Sequence, residues 1–228
     1  MGGEGSTGGS LEGLPAQAPQ LWLSPLAQPS AAGLSPQEQL WCAALPAALQ
    51  PRYRSSRQQL RARLAALFAV SAESIPLCSP PGEAPRLEAG WGFVSLSHSG
   101  EQLLLAWSPW AVGVDLERRD RVLQADLLAQ RFFPPEENQA LLALPAEVRR
   151  LQVLRSWVRK EAAIKWMAAS IAEELRHWCW DDSKQELIHL QRGLTPPSLC
   201  LESCGWLCAL VGDGAGEAQW ADEWAEGG

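Results

Sequence analysis

A few residues stand where their types and spacing could do chemistry, and Glu161 is foremost among them. Across residues 151–175, LQVLRSWVRKEAAIKWMAASIAEEL, steps of 100° put Val153, Leu154, Trp157, Ile164, Ala168, Ile171 and Leu175 on one helical stripe. Glu161 falls inside that stripe. A carboxylate among apolar neighbours stays ionised only if a cation or several donors meet it, because burying an unpaired charge is costly. Lys160 and Lys165 lie on the two flanks of the stripe, within reach of the same site, a set that suits a metal ion together with a phosphate. The plainer reading is a Glu161–Lys165 pair at i,i+4, worth a few tenths of a kcal/mol.

A second pair of acids sits in AVGVDLE, residues 111–117. Alternation in a strand puts Val112, Val114 and Leu116 on one face and Gly113, Asp115 and Glu117 on the other, with the carboxylates about 7 Å apart. Such a pair suits a hard divalent cation such as Mg²⁺; an edge strand showing two acids to water has the same pattern. Gly113 would leave room for a ligand beside the strand. His98 occupies the turn of a hairpin formed by residues 91–97 and 103–107, with Ser97 and Ser99 beside it. That setting suits a phosphate, although a lone histidine in a turn also serves as a cap or a solvated group. Arg52, Arg54, Arg57, Arg61 and Arg63 follow one another into a helix over residues 55–70. They read as a solvated face or as an anion site, with Arg57 in the first turn the best placed.

The elements that must hold these residues follow from composition and pattern. With 228 residues and 46% apolar content, the chain can bury a sizeable core. A net charge of −7 argues against non-specific nucleic-acid binding, which needs a basic face. No apolar run is long enough to span a membrane and no signal peptide opens the sequence, so a cytoplasmic protein is expected. The six cysteines lack a CxxC pair and read as reduced thiols. Within 118–165, ten Lys or Arg face six Asp or Glu, a positive island in an acidic chain that could steer an acidic partner.

In order, the pattern predicts a disordered leader over residues 1–20 and a strand over 21–26. A helix capped by Ser35 follows, ended by Pro46 and Pro51, and then the helix over 55–70. After the hairpin and the acidic strand come a helix around residues 123–128, one opened by Pro135, and the long helix carrying Glu161. Short strands at 177–180, 186–190, 198–202 and 206–211 are expected to close a sheet, and the acidic tail from Gly212 to be loose. The fold class is α+β.

Four motifs, SLSHSG (95–100), VGVDLE (112–117), RFFPPEE (131–137) and SWVRKEAAIK (156–165), together resemble a 4′-phosphopantetheinyl transferase of the Sfp-like, surfactin-synthetase-activating type. The resemblance implies a pseudo-dimer of two similar α/β subdomains, residues 21–108 and 109–228, with the active site in the cleft between them. It also implies transfer of the phosphopantetheine arm of coenzyme A to a serine of an apo acyl or peptidyl carrier protein, by a monomer, releasing adenosine 3′,5′-bisphosphate. Asp115, Glu117 and Glu161 would then be the Mg²⁺ ligands. Lys160 and Lys165 would bind phosphate, His98, Ser97 and Arg57 would hold coenzyme A, and Glu137 would be the base. The sequence departs from the family at 83–86, where Glu-Ala-Pro-Arg stands in place of a Gly-Lys-Pro triplet and Arg86 would take over the nucleotide contact. Two rivals use the same residues: a Mg²⁺-dependent phosphodiesterase or hydrolase acting on coenzyme A or a related nucleotide, and a non-catalytic binding module.

Overall fold

The structure is a computed structural model that describes Leu14 and residues 17–220. Most of the expected leader lies outside the described residues, and its last residue, Gln20, opens the first strand.

The N-terminal half runs β1 (Gln20–Pro25), α1 (Pro36–Ala44), α2 (Gln50–Phe68), β2 (Leu77–Cys78), β3 (Arg86–Leu87), β4 (Phe93–Ser99) and β5 (Gln102–Ser108). Ser35 starts α1 with a reciprocal capping box: its hydroxyl accepts from Glu38 N, and the Glu38 carboxylate accepts from Ser35 N. The same carboxylate pairs with buried Arg61 at 2.6 Å and so ties α1 to α2. Pro51 does not break the chain as expected. It lies in the first turn of α2, where a missing N–H costs nothing. Because α2 starts at Gln50, Arg57 sits two turns inside the helix and not in its first turn.

The second half runs β6 (Gly113–Arg118), α3 (Ala125–Phe132), α4 (Pro135–Leu142), α5 (Ala146–Trp166), α6 (Ile171–Glu174), β7 (Trp178–Asp181), β8 (Glu186–His189), β9 (Ser198–Ser203), β10 (Trp206–Val211) and β11 (Gln219–Trp220). One sheet has the order β11-β1-β5-β4 and the other β6-β10-β9. Each half thus sets a strand, a long helix and a hairpin in the same order, with the second hairpin strand in the middle and antiparallel to the first strand. Leu21, Leu104 and Ala106 of one sheet share a core with Val114, Leu116 and Leu210 of the other.

Three expectations need correction. The segment 177–190 does not join the sheet but forms its own hairpin, β7 with β8. The tail expected to be loose from Gly212 is ordered over residues 213–220, where β11 returns to pair in parallel with β1, Gln20 against Gln219, and its last eight residues lie outside the described residues. The long helix ends at Trp166, where the Ala169 N–H bonds to Ile164 O across left-handed Ala168, so Ile171 and Leu175 belong to other elements.

The close approach of α5 to β6 fixes where the helix lies. A Cβ on Gly113 would stand 1.9 Å from Ala162 O and 2.4 Å from Trp166 N, both backbone atoms. The space beside Gly113 that could have held a ligand is filled by the helix itself. Gly113→Ala should therefore push α5 off the strand and destabilise the fold by about 3 kcal/mol, the upper range for overpacking. Urea unfolding would measure this, and a loss under ~1 kcal/mol would show that the helix yields easily.

Candidate functional site

Asp115 and Glu117 point from β6 toward β4, as strand alternation requires. Alternate serines of β4 meet them in rising order, so the two strands run side by side in the same sense. Ser95 Oγ accepts from Val114 N at 3.1 Å, Ser97 Oγ donates to Asp115 Oδ1 at 2.7 Å, and Ser99 Oγ donates to Glu117 Oε2 at 2.9 Å. Ser97 was expected to hold a phosphate, but its hydroxyl is committed to Asp115.

From the other side, α5 presents Glu161 and Lys165, one turn apart. Lys165 Nζ donates to Asp115 Oδ1 at 2.7 Å. In place of the plainer intrahelical Glu161–Lys165 pair, the lysine makes this contact between elements. Burial, followed by the charge of Asp115, pushes Glu161 up to about 8. Burial also raises Glu117, against the pull of Ser99 and its ion-pair partner Arg121. Asp115 is buried, and its Oδ2 has no hydrogen-bond partner.

His98, expected in the turn, lies within β4 opposite Leu103 of β5, and it opens onto a cleft of about 620 Å³ together with Arg52, Ser99, Glu117 and Arg121. Partial burial lowers its pKa, and the cations Arg52, Lys165 and Arg57 lower it further. Arg57 is buried with its guanidinium 4.7 Å from the Tyr53 ring, and its Nε has no partner. The cleft therefore has an acidic wall on β6 and a basic collar on α2 and β4. Arg52 lines the cleft although the sequence singled out Arg57; five residues turn the two about 140° apart on a helix, so no local spacing marked Arg52.

The other expected site residues are elsewhere. Lys160 has no exposed surface and pairs at 2.6 Å with buried Glu137, so it does not reach the cleft. Burial draws Lys160 down to about 8 despite the charge of Glu137. Glu137, expected as a base, is saturated by Lys160, Ser156 and the Trp180 N–H. Arg86 pairs with exposed Glu83 on the β2–β3 side. The positive island is largely spoken for: Arg118 binds Asp120, Arg119 and Arg155 bind Glu202, and Arg149 binds Asp126.

No three His, Cys, Asp or Glu side chains among the described residues stand close enough together to hold an ion as they are. The chemistry nevertheless fits a hard divalent cation: three carboxylates press on one another, one buried oxygen is unpartnered, and Lys165 and Arg121 supply the balancing charge.

An acidic pair beside a collar of cations is an arrangement suited to phosphate chemistry. The sequence model of the 4′-phosphopantetheinyl transferase superfamily matches residues 111–211. The chain is 38% identical over 79 residues to the 4′-phosphopantetheinyl transferase psf-1 of Bacillus pumilus, covering 34% of this chain and 33% of that protein. It is 36% identical over 80 residues to the 4′-phosphopantetheinyl transferase HetI of Nostoc sp. (strain PCC 7120), covering 35% of this chain and 34% of that protein. The chain thus matches about a third of the length of these curated relatives. The stretch that matches the superfamily model, residues 111–211, holds Asp115, Glu117, Glu161 and Lys165. No helix among the described residues is long and apolar enough to cross a membrane.

The raised value of Glu161 has a consequence for stability without metal. Its folded form holds a proton that the unfolded chain releases at ordinary carboxylate values, so its contribution is full at low pH and lost as pH rises through about 8. Glu161→Gln, which cannot ionise, should gain on the parent between pH 5 and 8.5 in thermal melts with EDTA. A difference that stays flat across that range would mean the carboxyl is solvated.

Proposed function

We propose that this chain transfers the 4′-phosphopantetheine group of coenzyme A to a serine of an apo acyl or peptidyl carrier protein, in the Sfp-like manner. Adenosine 3′,5′-bisphosphate leaves. The observation that carries the reading is the meeting of Asp115, Glu117 and Glu161 with Lys165, all within the stretch that matches the superfamily model, beside the cleft that His98 of β4 lines. The repeated strand, helix and hairpin order supports a pseudo-dimer divided near residue 109, with the cleft between its halves. Action as a monomer in the cytoplasm belongs to the same reading.

Asp115, Glu117 and Glu161 would hold Mg²⁺. Bound there, the ion supplies Lewis-acid neutralisation of the pyrophosphate oxygens. Lys165, already at the Asp115 carboxylate, adds a charge where negative charge builds on the leaving phosphate. The collar of Arg52, Arg57 and His98 receives the 3′-phosphate, and a partnerless, buried Arg57 Nε is a donor in want of an acceptor. Because Glu137 is turned into the interior, the proton of the carrier serine goes to a group of the cleft.

Incubation of the chain with coenzyme A, Mg²⁺ and an apo acyl carrier protein should add one phosphopantetheine to the carrier in intact-mass spectra. Cleavage of coenzyme A without modification of the carrier would identify a hydrolase instead. Asp115→Asn should cut transfer by ~10²-fold or more, the order expected for losing one electrostatic stabiliser, with unchanged circular dichroism. Turnover near that of the parent would remove Asp115 from the site.

The collar makes a separate prediction. His98→Ala should weaken coenzyme A binding by about tenfold, consistent with loss of one bond to a charged group. Calorimetry with 3′-dephospho-coenzyme A should show almost no change, and equal losses for both ligands would place the 3′-phosphate elsewhere.

A further inference from the structure

The buried pair of Glu137 and Lys160 lies outside the cleft, and it is the point where three elements of the second half are joined. Glu137, in the first turn of α4, receives Lys160 Nζ at 2.6 Å and the Ser156 hydroxyl, both from α5, and Trp180 N from β7 at 3.2 Å. Lys160 Nζ also stands 3.5 Å from the centroid of the Phe133 ring. Ser156 and Lys160 are one turn apart, so a single face of α5 is bolted to α4 and β7. Glu161 follows Lys160 by 100° of rotation, and Lys165 lies one turn beyond it on that adjoining face. A rotation of α5 that broke the pair would carry Glu161 and Lys165 away from Asp115.

We propose that Glu137 and Lys160 are positioning residues: their buried pair sets the rotation of α5 that holds Glu161 and Lys165 against β6, and neither residue touches substrate. The kinetic arm of the test rests on the transfer reading given above, whereas the labelling and unfolding arms do not.

The pair can be replaced by a neutral one of similar shape. In Glu137→Gln with Lys160→Met, the amide oxygen can still accept from Trp180 N, the amide N–H can donate to Ser156 Oγ, and the thioether can lie on Phe133. Either single change leaves one buried group without its partner, which is worse than removing both. Each single variant should lower the melting temperature and cut kcat by about tenfold, with the KM for coenzyme A within about twofold. The double variant should recover the parent's melting temperature, with kcat within about threefold of the parent. A double variant that folds like the parent yet loses ~10²-fold or more in kcat would show chemical use of the pair and overturn the proposal. Single variants with low melting temperatures and unchanged kcat would also overturn it, because the pair would then be structural only.

Should the double variant fold poorly, the parent chain decides the matter. Amine labelling followed by mass spectrometry should leave Lys160 unmodified with and without coenzyme A. Ready labelling of Lys160 in the free protein, protected by coenzyme A, would overturn the proposal. Absence of any transfer by the parent would count against the functional reading alone, and labelling with unfolding would still judge the pair.

Discussion

The contact of the α5 backbone with β6 at Gly113 is the constraint on which the site depends. A strand and a helix normally stand apart by the thickness of their side chains, and here one missing Cβ lets Ala162 O and Trp166 N lie against the strand. That approach puts Glu161 within the field of Asp115 and Glu117 and lets Lys165 reach the Asp115 carboxylate. Around it the core is closed on both sides: Val158, Ala162 and Ile164 pack with Ala209 and Val211, and β6 itself shares the inter-sheet core through Val114 and Leu116.

Concentrating three carboxylates in one place works against folding, and the chain meets this with donors from the opposite half. The serines of β4 supply two hydroxyls to two carboxylates, and a third hydroxyl takes the Val114 N–H in place of a ladder bond. The halves are thereby joined through polar contacts where the ligand-facing groups are, and through apolar contacts behind them. Asp115 Oδ2 is left buried without a hydrogen-bond partner. A buried, partnerless acceptor is a local cost that a bound cation would relieve.

The helix α5 divides its labour by face. One face carries Ser156 and Lys160 toward Glu137, another carries Glu161 and Lys165 toward β6, and an exposed side places Arg155 on Glu202. Arg159 lies over the Trp180 ring at 3.8 Å, which adds a second link between the helix and β7. Charged residues that look alike in a linear motif thus do different work a hundred degrees apart.

The local repeat of the chain was enough to read the acidic face of β6, the hairpin that carries His98, the Ser35 cap and the oddity of a carboxylate in the stripe around Glu161. Those features depend on neighbours within a few residues, and a period of two or 3.6 fixes which side chains share a face. What each face meets is a different matter. The partner of Lys160 lies 23 residues away and those of the serines 18 residues away, and such pairings follow from how helices and sheets pack. Hence Lys160 could be counted with Lys165 although the two turn to different neighbours, and Ser97 could be read as a phosphate contact although it serves Asp115. The return of β11 to β1 spans the described chain and left no local mark. By itself the sequence determined which residue types were available and on which faces; tertiary packing alone decided which of them share a site, because burial and pairing across the fold set the charge each can carry.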